Sequence, residues 1–96
     1  MINISIKNDF SGDYITRVAG EKLRKIILEA DLKNQKIEIN FSGVTIASTS
    51  FFDEGFAKLN DSGWTMEKLK TQIILKNIKP KDHYVLLEMC KNRGMK

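Results

Sequence analysis

The chain has 96 residues, 42% hydrophobic and 29% charged, which suits one small globular domain with a single core and excludes a disordered segment. One cysteine and one histidine exclude an internal disulfide and a standard structural zinc site. The formal charge is +4, and all of the excess lies in the last fifth: residues 1–75 hold ten basic and ten acidic side chains, whereas residues 76–96 hold six basic and two acidic.

No window approaches the ~18–20 consecutive apolar residues of a membrane span. The start, Met1 to Lys7, has neither the basic segment nor the long apolar stretch of a signal peptide. A reducing, cytoplasmic setting is therefore expected, with no membrane contact.

In chain order, Ile2, Ile4 and Ile6 alternate with Asn3, Ser5 and Lys7, predicting a half-buried strand over 2–7. Asp9 to Asp13 reads as a turn. Ile15, Val18, Ala19, Leu23, Ile26, Ile27 and Ala30 then recur at helical spacing, predicting a helix of about four turns with one apolar stripe. Gly20 weakens that helix by up to ~1 kcal/mol relative to Ala.

Lys33, Asn34 and Gln35 interrupt the pattern, and Ile37, Ile39 and Phe41 mark a second strand. Ser48, Thr49 and Ser50 precede a helix over 50–61. Ser50 is its expected cap, Asp53 and Glu54 lie in its first turn, and Phe52, Phe56 and Leu59 form its buried face. Residues 64–70 read as irregular. Residues 72–76 form a continuous apolar run, expected to be a central strand. Pro80 opens a last helix, Val85, Leu86, Met89 and Cys90 give its stripe, and Gly94 stops it. The order is β-α-β-α-β-α, an α/β domain with a mainly parallel sheet.

Ligands of open parallel sheets collect at the carboxyl ends of the strands, which directs attention to residues 8–17 and 42–54. Three consecutive hydroxyls at a helix start could hold an anion or carry a phosphate; equally, Ser50 could simply cap the helix while Ser48 and Thr49 satisfy turn backbone. Asp53 and Glu54 are adjacent on a helix, so their side chains point ~100° apart and do not converge on one reacting atom. A salt bridge from Arg17 to Asp53 or Glu54 would tie the two strand-end loops together. His83 reads as surface or helix-start structure and Cys90 as a small core residue. Trp64 and Met66 fit either core cover or an interaction surface. No combination supplies a base, a nucleophile and an oxyanion site, so neither catalysis nor a cofactor is expected.

The stretch Asn40 to Glu54 (NFSGVTIASTSFFDE), with Ile15-Thr16-Arg17 opening an amphipathic helix upstream, resembles the STAS-like family of bacterial domains. More distantly it is similar to the STAS domains of anti-sigma factor antagonists. That resemblance implies a regulatory, protein-binding module whose partner is a histidine-kinase-type ATPase or another signalling protein. It places a phosphorylated serine at Ser50, with Thr49 adjacent, and a contact surface of Ser48, Thr49, Ser50, Phe51, Asp53, Glu54 and Arg17. The chain departs from the antagonist pattern at Ser48, where an acid is usual, and at Phe51, where a glycine is usual. Asn40 stands where the STAS-like family usually has an acid. The alternative is a nucleic-acid-associated accessory protein using the basic residues of 76–96.

Overall fold

A computed structural model describes residues 1–96. Its elements are strand β1 (Ile2–Ser5), a helical turn α1 (Ile6–Asp9), helix α2 (Arg17–Leu32), β2 (Ile37–Asn40), α3 (Thr49–Gly55), a 3₁₀ helix (Ala57–Ser62), α4 (Met66–Gln72), β3 (Ile73–Lys76) and α5 (Pro80–Asn92). The three strands are all parallel, in the order β1-β2-β3, with Ile2, Ile37 and Ile73 in register. Because the order never reverses, two right-handed crossovers place their helices on the same face of the sheet. The burial pattern agrees: Ile37, Ile39 and Ile73 are buried, whereas Asn3 and Lys76 on the opposite face are exposed and Glu38 and Asn40 are partly so. This one-sided burial is what the alternation in β1 and β2 encodes.

The α/β class and the parallel sheet hold, but several boundaries move. β1 stops at Ser5 because local capping wins over alternation. The Ser5 hydroxyl accepts from the Asn8 amide, and the Asp9 carboxylate accepts from the Ser5 amide at 2.7 Å. Residues 66–70, expected to be irregular, and Gln72, expected to open the last strand, belong to α4, capped by the Thr65 hydroxyl on the Lys68 amide. Trp64 beside it is buried and Met66 half-buried, so both cover the core. β3 is an edge strand and not the central one. Its apolar run spans both faces, yet Ile74 lies on the open face and nothing covers it fully.

α2 begins at Arg17, capped by Thr16, so Ile15 precedes it and Val18 falls on its outer side. These two side chains are 52% and 75% exposed, not part of the stripe. Gly20 is no weak point. It faces α3 so closely that a Cβ there would lie 2.7 Å from the Cβ of Glu54 and 2.8 Å from the Phe51 carbonyl oxygen. The glycine lets the two helices meet backbone to backbone.

The core is aromatic around α3. Phe51 and Phe52 pack edge to face at 5.8 Å between centroids, Phe10 meets Phe51 at 6.2 Å, and Phe41 and Phe56 complete the cluster. Phe51 is fully buried, which removes it from the expected contact surface. A run of two phenylalanines at a helix start let either one face inward, and here both do.

Candidate functional site

The loop from β2 to α3 is fixed from three directions. Ser48, and not Ser50, caps α3: its hydroxyl accepts from the Phe51 amide at 3.3 Å. The same hydroxyl donates to the Ile15 carbonyl at 2.6 Å, so Ser48 joins the two strand-end loops. Its capacity is spent on structure. From α5, the buried Asp82 carboxylate accepts from the amides of Ile46 (2.8 Å) and Ala47 (3.0 Å). Ala47 has φ +48°, an uncommon conformation for a residue with a Cβ, and the Asp82 clamp holds it there.

With the cap at Ser48, Thr49 and Ser50 become the first two residues of α3. Thr49 is exposed and Ser50 half-exposed. Asp53 and Glu54 consequently lie beyond the first turn, where no acid stands. They do converge, but on cations. Arg17 Nη1 donates to Asp53 Oδ2 at 3.0 Å and to Glu54 Oε1 at 3.4 Å. Arg93 grips Asp53 with two bonds of 2.7 Å, through Nε and Nη2. Glu54, buried, also accepts from Arg24 at 2.8 Å and from Lys58 one turn on.

This network joins α2, α3 and the end of α5. Hydrogen bonding from Arg93, then from Arg17, holds the Asp53 carboxyl at about 2, below the ordinary 3.8. Burial pushes Glu54 up, yet the hydrogen bonds from Lys58 and Arg24 outweigh it and its pKa ends below normal. Arg17 and Arg93 are raised in turn, chiefly by their bonds to Asp53.

The network floors an open, polar cleft of about 410 Å³ lined by Arg17, Thr49, Asp53, Asp61, Asn92 and Arg93, with Met89 beneath. Of the residues expected at the site, Arg17, Thr49 and Asp53 share this cleft. Ser50 stands beside it without lining it; Ser48 and Glu54 hold its frame. At the start of α2, Ile15 and Val18 are exposed, and the Ile15 carbonyl accepts from the Ser48 hydroxyl that frames the cleft.

Arg93 and Asp82 were not expected here. Arg93 meets Asp53 across 40 residues and Asp82 meets Ile46 across 36, and no local pattern announces contacts of that range. The expected basic tail is correspondingly broken up: Arg93 pairs with Asp53, Lys76 with Glu38 and Lys91 with Glu88. His83 is exposed, and Cys90 is fully buried with its thiol pushed up to about 11 by that burial.

The sequence profile of a STAS-like domain of unknown function matches residues 19–83, from the first turn of α2 to the first turn of α5. The chain belongs to this STAS-like family. The matched span contains α3, both acids of the network and the Asp82 clamp, while Arg17 and Arg93 flank it. No curated protein and no solved structure matches the chain. No helix of this STAS-like domain is long and apolar enough to cross a membrane.

Proposed function

We propose that this STAS-like domain is a cytoplasmic regulatory module that acts by binding a signalling protein, with a histidine-kinase-type ATPase as the expected partner. The contact surface is the start of α3, the start of α2 and the cleft between them. One observation carries the reading: Ile15, 52% exposed, is joined through its carbonyl to the Ser48 hydroxyl just before the exposed Thr49 and half-exposed Ser50, and Val18, 75% exposed, follows in the first turn of α2. Apolar side chains ringed by polar groups are the composition of a small protein interface.

Binding suits this surface better than catalysis does. Asp53 and Glu54 are held ionised by three arginines and a lysine, so neither is poised to exchange a proton near neutral pH. The Cys90 thiol is buried and stays protonated.

A phosphoryl group on Thr49 or Ser50 would switch the surface. Thr49 lines the cleft with Arg17 and Arg93, so phosphate there would add a charge of about −2 next to two guanidiniums. On the half-exposed Ser50 the same charge would sit at the rim. The test combines peptide mapping of protein from its native cells with affinity capture by wild type, Val18→Asp and Thr49→Glu. A stoichiometric partner lost from both variants supports the reading. Equal capture by all three proteins, at equal stability, refutes it.

A further inference from the structure

The carboxyl ends of the strands carry a second feature, away from the α3 hydroxyls. The loop after β2 runs Ser42-Gly43-Val44-Thr45, with Val44 buried beneath it and Ser42, Gly43 and Thr45 facing solvent. Two lysines from other segments lie on this loop. Lys7, from α1, passes so close over Gly43 that its Nζ lies 3.5 Å, and its Cδ 3.4 Å, from where a Cβ would stand. Lys79, capping α5, bonds the Thr45 hydroxyl through its Nζ.

Neither ammonium pairs with a carboxylate. The nearby acids are engaged elsewhere: Asp9 accepts from the Ser5 amide, Asp82 from Ile46 and Ala47, and Glu38 faces Lys76. The amides of Gly43 and Thr45 donate to no group of the chain, whereas Ser42, Val44, Ile46 and Ala47 all do. Gly43 has φ +78°, and Asn77, which bonds Asn40 at the foot of the loop, has φ +58°.

We infer that this loop, with Lys7 and Lys79, is a binding site for the phosphoryl group of a small phosphate monoester. Two compact ammonium charges, two free amides and the hydroxyls of Ser42 and Thr45 bring donors to one short loop, and neither ammonium there is paired with a carboxylate. Lysines suit a dianionic phosphoryl group as point charges, whereas planar recognition of a carboxylate favours the fork of an arginine. The position at the carboxyl ends of parallel strands is where such folds present free backbone donors. The site is independent of Thr49 and Ser50, so it can stand or fall without the protein-binding reading.

The experiment is an amide NMR titration of the full chain with inorganic phosphate, with AMP, with sulfate and with a short single-stranded oligonucleotide. The expected result is movement of the Gly43 and Thr45 amides with phosphate or AMP at pH 7.5. It should weaken about tenfold in Lys7→Gln or Lys79→Gln and be absent in the double variant. Larger movement with AMP than with phosphate identifies a nucleotide source; equal movement identifies the phosphoryl group alone. Static Gly43 and Thr45 amides would overturn the inference. So would an unchanged response in the double variant, tighter binding of the oligonucleotide than of either monoester, or an equal response to sulfate.

Discussion

Replacing Gly20 with alanine distinguishes the packing described here from simple helix propensity. By propensity, alanine in the middle of α2 should stabilise by ~0.5–1 kcal/mol. The structure predicts the opposite sign. A Cβ at Gly20 meets Glu54 Cβ at 2.7 Å and the Phe51 carbonyl oxygen at 2.8 Å, about 0.6 Å inside the 3.4 Å at which ordinary contact begins. Both obstacles belong to α3 at or next to its backbone, so the helix itself must move. Moving it also disturbs the bonds from Arg17 and Arg24 to Asp53 and Glu54. Overpacking of this kind costs ~1–3 kcal/mol or more, leaving a net destabilisation of about 1–2 kcal/mol. Gly55→Ala is the matched control. Its nearest neighbours stand at 3.4 Å, so the change should be neutral or stabilising within ~1 kcal/mol. Urea unfolding followed by the single buried Trp64 reads both, and the Gly20→Ala midpoint should fall by about 1 M. A Gly20→Ala protein as stable as wild type would refute the close helix contact.

Three further outcomes follow from the same geometry. Asp53 has a folded pKa of about 2, depressed from 3.8, so its contribution is present above pH 4 and is lost as pH falls toward 2. Asp53→Asn should therefore cost about 1 kcal/mol at pH 6, allowing for the solvent exposure of Arg17, and the gap should close near pH 2; a gap that persists there contradicts the ion-pair account. Asp82→Ala leaves the Ile46 and Ala47 amides without an acceptor and should destabilise by about 3 kcal/mol in thermal or urea melts, with Asp82→Asn losing less; a loss under 1 kcal/mol would show that water replaces the clamp. Cys90 should resist thiol reagents at pH 8 in the native state and react promptly in urea, so fast native labelling would place it outside the core.

The elements most legible in the sequence were those whose pattern and burial coincide. Alternation in Ile2–Ser5 and Ile37–Asn40 reports a sheet covered on one face, and the stripe Ala19, Leu23, Ile27 and Ala30 reports α2 directly. The Ser48–Ser50 run located the α3 start and Arg17 located its ion-pair partner. It could not reveal which hydroxyl caps, because all three can accept from an amide three residues on and the choice depends on where the Ile15 carbonyl and Asp82 hold the loop. Phe51 was misplaced because the expected face of Phe52, Phe56 and Leu59, all buried as read, left it the outward neighbour, whereas the close aromatic packing with Phe10 and Phe52 buries it too. β3 reads as central because apolar runs report composition on both faces, not neighbours. Arg93, Asp82 and the need for glycine at position 20 depend on contacts 30 or more residues apart, which periodicity does not encode.

The central claim is that the surface around the starts of α2 and α3 meets a protein partner. Site-specific photo-crosslinking in the native cells tests it most directly, with the crosslinker at Val18 in one strain and at Leu32 in another. Both positions are on α2 and highly exposed, 75% and 84%, but they lie at opposite ends of the helix. The expected result is a discrete protein adduct from Val18 that is absent from Leu32 and diminished by Thr49→Glu. Identical adducts from both positions, or none from Val18, would contradict it.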